Sequence, residues 1–191
     1  RSPMAEFVFR AMVQKAGRAQ AYEVQSAALS SEELGNPVYP PARALLARHG
    51  ISCAGKYARP IEKADAQAFD LLIGMEQRHV DAMCRRFGAD AQGKVHRLLD
   101  YTGTPGDIAD PWYTRDFETA YAQIEAGCRA LLVQLEQAAQ EPAQEGPVWN
   151  ALPTARPAAP GPRWPASPWQ AALPSATPQH RCPRHEPRAR H

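Results

Sequence analysis

Arg1 and Ser2 stand directly ahead of Pro3 and an apolar pattern of helical period, which brings a guanidinium to the mouth of a helix. The free N–H groups of a first turn and the helix dipole favour an anion, and a guanidinium grips two oxygens at once. The chemistry implied is oxyanion binding. The bland counterpart is a solvated charge at a chain end. Asp110 precedes a proline and the aromatic pair Trp112-Tyr113. A carboxylate beside aromatic walls can protonate a leaving phenolate, a role worth roughly two to four powers of ten in rate. Asp-Pro also suits a simple turn. Asp100 and Asp107 are rival carboxylates in the same region. Spacing does not rank the three.

The four cysteines, Cys53, Cys84, Cys128 and Cys182, show no CxxC spacing, which argues against zinc and against a disulfide scaffold and points to a reducing cytoplasm. Cys84 and Cys128 fall on the apolar faces of predicted helices, where a thiol acts as a small hydrophobe. Cys53 opens "CAGKYAR", an accidental CxxxxxR whose arginine, Arg59, is followed by proline.

Elements must position these groups. A helix is predicted over 3 to 17, with Ser2 as its N-cap, Pro3 at its first position, and Ala5, Val8, Phe9, Met12 and Val13 on one face. Three β-type runs follow: "YEVQSAA" over 22 to 28, "FDLLIGM" over 69 to 75 and "VHRLLDY" over 95 to 101. "PPARALLARHG" and "EQRHVDAMCRRF" read as helices between them. The last helix, about 115 to 139, carries Phe117, Tyr121, Ile124, Cys128, Leu131 and Leu135 at steps of three and four. Strands alternating with helices predict an α/β fold, a doubly wound parallel sheet in three layers. Ligands of such sheets sit beyond the carboxyl ends of the strands, where both candidate groups fall.

Residues 1 to 140 carry 16 Lys+Arg against 17 Asp+Glu, so the globular part is about neutral; no basic stripe with interleaved aromatics supports nucleic-acid binding. No apolar run is long enough to span a membrane. From Glu141 onward 12 of 51 residues are proline and no period recurs, which predicts a disordered tail over 141 to 191 beside a domain over 1 to 140. Trp149, Trp164 and Trp169 leave room for a partner that docks proline-rich segments.

"RSPMAEFVF", "SAALSSEELGNPVYPPARALLARHGISCAGKYARPI", "FDLLIGMEQRHVDAM" and "DPWYTRDFETAYAQIEAGCRALL", in this order, resemble the low-molecular-weight protein tyrosine phosphatases over roughly residues 1 to 138. The family signature is a CxxxxxRS phosphate loop, of which Arg1-Ser2 matches the close. The resemblance implies a sheet ordered 2-1-3-4, whose first strand and nucleophilic Cys would precede Arg1. It also implies hydrolysis of phosphotyrosine proteins or small aryl phosphates through a phosphocysteine, without cofactor or metal.

Under the resemblance Arg1 clamps the phosphoryl oxygens and Ser2 hydrogen-bonds the thiolate. Asp110 is the acid, Trp112 and Tyr113 wall the pocket, and Ser26 supports the loop from below. Glu32 and Glu33 fall where many members carry a second aromatic wall, Lys56 where a His supports the loop, and Pro41 where an Arg is usual. Arsenate reduction on the same fold and a non-catalytic phosphate-binding adaptor are the alternatives. Residues 1 to 191 by themselves are expected to be poorly stable and inactive.

Overall fold

The computed structural model describes residues 1–140; the predicted tail lies outside the described residues. Helix α1 runs Ser2–Lys15, α2 Pro40–Arg48, α3 Lys63–Ala68 and α4 Gln77–Phe87. A short α5, Pro111–Thr114, precedes the long α6, Phe117–Gln140. Strands β1, Leu72–Gly74, and β2, Val95–Arg97, pair in parallel with Leu72 opposite Val95 and Gly74 opposite Arg97.

The pleat sends alternate side chains to opposite faces. Leu72 and Val95 pack with Val80, Met83, Cys84 and Phe87 of α4, while Ile73 meets a larger core formed by α1, α2 and α6. Helices therefore cover both sides of a small parallel sheet, the expected layering. The larger core holds Met4, Val8, Leu45, Leu46, Ile108 and Ile124, all essentially out of water. Cys128 belongs to it as a small hydrophobe, its thiol pointing at the Ala5 carbonyl and pushed up to about 12 by burial. Gly127 lets α6 close on Leu98: a Cβ there would lie 2.6 Å from the Leu98 side chain.

Three expectations are corrected. The run over 22 to 28 is not a strand; only Ala28 bridges to Pro60. No strand lies alongside it among the described residues, and side chains take up its backbone groups instead. Arg10 donates twice to the Val24 carbonyl (3.0 and 2.6 Å), the Ser26 N–H donates to Glu6 (2.9 Å), and Lys56 Nζ donates to the Ser26 carbonyl (3.0 Å). The run over 95 to 101 is strand only to Arg97. Asp100 accepts from the Arg97 N–H (3.0 Å) and guanidinium, closing a turn over Leu98–Tyr101. Lastly, the N-cap of α1 is Arg1 rather than Ser2, because the Arg1 carbonyl takes the first helical bond, from the Ala5 N–H.

Candidate active site

Arg1 and Asp110 are far apart in sequence but meet in space. Asp110 Oδ2 accepts from Arg1 Nη2 at 2.9 Å, while Arg1 Nη1 donates to the Ile108 carbonyl at 2.5 Å. Both partners are set by neighbouring structure. The Ile108 N–H donates to the Met75 carbonyl just past β1, which ties this loop to the carboxyl end of the sheet. Asp110 caps α5, its other oxygen accepting from the Trp112 N–H at 3.1 Å. The turn reading of Asp-Pro is realised on one carboxylate oxygen, and the other oxygen is paired with Arg1.

The rival carboxylates fall away. Asp100 is buried against Arg97, and Asp107 accepts from the Gln77 N–H and Arg97. Neither is hydrogen-bonded to Arg1. The accidental CxxxxxR also falls: Arg59 is gripped on both sides by Asp65 (2.8 and 2.9 Å) and held by Gln25, while Cys53 is buried. That guanidinium has its anion already.

Sequence reasoning missed two groups here. Glu76, immediately after β1, lies 3.2 Å from Arg1 Nη2 and also accepts from Arg78. Burial raises its carboxyl, but bonds from Arg1 and Arg78 outweigh this and hold it below the usual carboxylate range. Its position at a strand's carboxyl end was the available signal. His79 follows one turn on, its Nε2 3.0 Å from Glu76 Oε1. The Met75 N–H donates to His79 Nδ1 at 3.3 Å, so the neutral ring carries its proton on Nε2, aimed at Glu76. Burial lowers the ring's basicity against the pull of Glu76, and the Arg1 and Arg78 charges lower it further.

Ser2 stands beside Arg1 at the first helical position, half-buried. Trp112 and Tyr113 are 49% and 78% exposed, surface that a flat substrate ring could cover. Glu32 and Glu33 are exposed as well, and neither offers an aromatic wall. Tyr39 does, its ring 5.0 Å from Trp112 and 5.9 Å from Phe117.

Behind the helix, Ser26 is joined to a second charged group. Glu6, 4% exposed, accepts from the Ser26 hydroxyl at 2.7 Å and lies 2.6 Å from Lys56 Nζ and 3.2 Å from Arg10. The lysine that stands where the resemblance places a histidine is thus the counter-ion of a buried glutamate.

A guanidinium at a helix mouth, a carboxylate from a distant loop and exposed aromatic rings beside it thus come together at one end of the sheet. Residues 1–141 match the family model of the low molecular weight phosphotyrosine protein phosphatases. The chain belongs to this family. It is 33% identical over 142 residues to the low molecular weight protein-tyrosine-phosphatase YfkJ of Bacillus subtilis, covering 73% of this chain and 91% of that one. Against the Homo sapiens low molecular weight phosphotyrosine protein phosphatase it is 35% identical over 137 residues, covering 69% and 86%.

Two solved structures agree in shape. The crystal structure of YfkJ superposes with a TM-score of 0.71 over 73% of this chain and 89% of that one, at 33% identity. The Streptococcus pyogenes low molecular weight protein tyrosine phosphatase superposes with a TM-score of 0.62 over 71% and 85%, at 31% identity.

Proposed function

We propose that this phosphatase domain, residues 1 to 140, hydrolyses phosphotyrosine in proteins and small aryl phosphates through a phosphocysteine, with Asp110 as the acid and Arg1 as the clamp. The observation that carries this is the 2.9 Å contact between Asp110 Oδ2 and Arg1 Nη2. It sets a proton donor beside the group that would hold the phosphoryl oxygens. Arg1 spends three of its five N–H donors on Ile108, Asp110 and Glu76, leaving two for an anion.

The cysteine nucleophile of CxxxxxRS stands six positions before its arginine, so the proposal is for a chain that carries such a loop ahead of Arg1. Cys128, a buried thiol rather than a thiolate, is no substitute. In the first step the thiolate attacks phosphorus while the aryl oxygen leaves with the proton of Asp110. In the second, the Asp110 carboxylate takes a proton from the attacking water, which displaces the cysteine. Ser2 stabilises the thiolate, Trp112 and Tyr113 flank the ring, and Ser26 supports the loop.

The test is Asp110→Ala in a chain carrying the loop. Turnover of phosphotyrosine should fall by roughly two to four powers of ten, and turnover of p-nitrophenyl phosphate, whose leaving group needs less help, by clearly less. Equal losses on both substrates remove Asp110 from the role of acid.

A further inference from the structure

The loop between α5 and α6 turns on Arg115, whose φ is +62°, the left-handed region. Arg115 is the one non-glycine residue with positive φ among the described residues. A Cβ strains this conformation, and glycine would make the same turn without strain. Something other than the backbone's preference therefore argues for the long side chain.

Its guanidinium lies 5.8 Å from the centre of the Trp112 ring, within reach for a cation–π contact. Arg115 is exposed and has no carboxylate partner among the described residues. The adjacent Asp116 is occupied elsewhere, accepting from the Thr119 N–H at the start of α6 (2.9 Å). Across the loop, Arg78 is 67% exposed, bound to Glu76 through Nε, and within electrostatic reach of Asp110 and Tyr113. Two exposed guanidinium groups thus lie close to the Asp110–Tyr113 loop.

Resting on the phosphatase reading above, we infer that Arg115, with Arg78, selects phosphotyrosine segments that carry Asp or Glu beside the phosphorylated residue. The ring of the substrate lies along Trp112, and an acidic neighbour reaches the guanidinium that sits over the same indole. Stacking keeps that guanidinium at the rim rather than swinging freely in solvent. A strained backbone and an unmatched charge have one explanation in common.

The experiment measures kcat/KM for acidic-flanked and basic-flanked phosphotyrosine peptides, and for p-nitrophenyl phosphate, on a chain carrying the CxxxxxRS loop. The unsubstituted chain should favour the acidic peptide by about threefold to fivefold per exposed pair, and less so as salt is raised. Arg115→Glu should lower the acidic-to-basic ratio by about tenfold, as attraction turns into repulsion. Arg115→Gly should lower it by about threefold while raising Tm, because the turn is relieved of strain. Turnover of p-nitrophenyl phosphate with ratios unchanged in both variants overturns this inference alone. If the unsubstituted chain hydrolyses none of the three substrates, the phosphatase reading falls and this inference with it.

Discussion

Helix α1 carries two charged clusters that look alike in composition and differ in what they leave unsatisfied. At its mouth Arg1 is shared by Asp110, Glu76 and a carbonyl, with Asp110 still 28% exposed. Little more than a turn along, Glu6 meets Lys56, Arg10 and both polar groups of Ser26, with a side chain only 2% exposed. The rear cluster is closed: its carboxylate is surrounded by donors and ties down an extended segment that has no neighbouring strand among the described residues. The front cluster is open on its acid side: the Arg1 side chain is buried, and Asp110 faces water. Similar chemistry is closed over in one place and left partly exposed in the other.

The strongest way to break this comparison is at the rear. Glu6→Ala leaves Lys56 without its counter-ion and the Ser26 N–H without an acceptor, and should cost about 3 to 5 kcal/mol in urea unfolding. A loss under about 1 kcal/mol would mean the rear cluster is no fastening. At the front the effect should appear in function instead. Glu76→Ala, in a chain carrying the CxxxxxRS loop, should lower kcat/KM for an aryl phosphate by about tenfold, since one of two carboxylates aiming Arg1 is gone. Its urea midpoint should move less than that of Glu6→Ala.

The smallest effect is a matter of pH. In a chain that begins at Arg1 the terminal amine is buried at the front, and burial together with its own guanidinium pushes it down from 8.0 to about 6, against the pull of Asp110. Between about pH 6 and 8 the unfolded chain holds a proton that the folded chain has lost. Stability of a chain beginning at Arg1 should therefore rise across that window. The slope should vanish when the amine becomes a peptide N–H in a chain extended ahead of Arg1, as read by thermal melts at three pH values.

Most of this architecture can be read from periodicity. Helices α1, α2, α4 and α6 bury their apolar stripes, so a pattern of threes and fours identifies them. The run over 22 to 28 shows where such reading ends. Its residue types suit a strand, yet a strand exists only where a neighbour supplies a ladder, and here Arg10, Glu6 and Lys56 supply the bonds. In the site, Arg1 and Asp110 were legible because a helix mouth and an Asp-Pro-aromatic loop have local signatures. Glu76 was not, since a glutamate after a strand looks like any solvated charge until the fold brings it against Arg1. Tyr39 escaped notice for a similar reason: its ring acquires a role only when α2 is laid beside α5.

Gly127 has a reach longer than its size suggests. The missing methyl lets the longest helix rest directly on Leu98, the residue just after β2, and from there the chain continues through Tyr101 and Ile108 to Asp110. Adding one carbon at the molecule's far wall would shove Leu98 aside, and the strap beyond it would be re-aimed. Asp110 and Arg1 keep their spacing partly because of an atom that is not there.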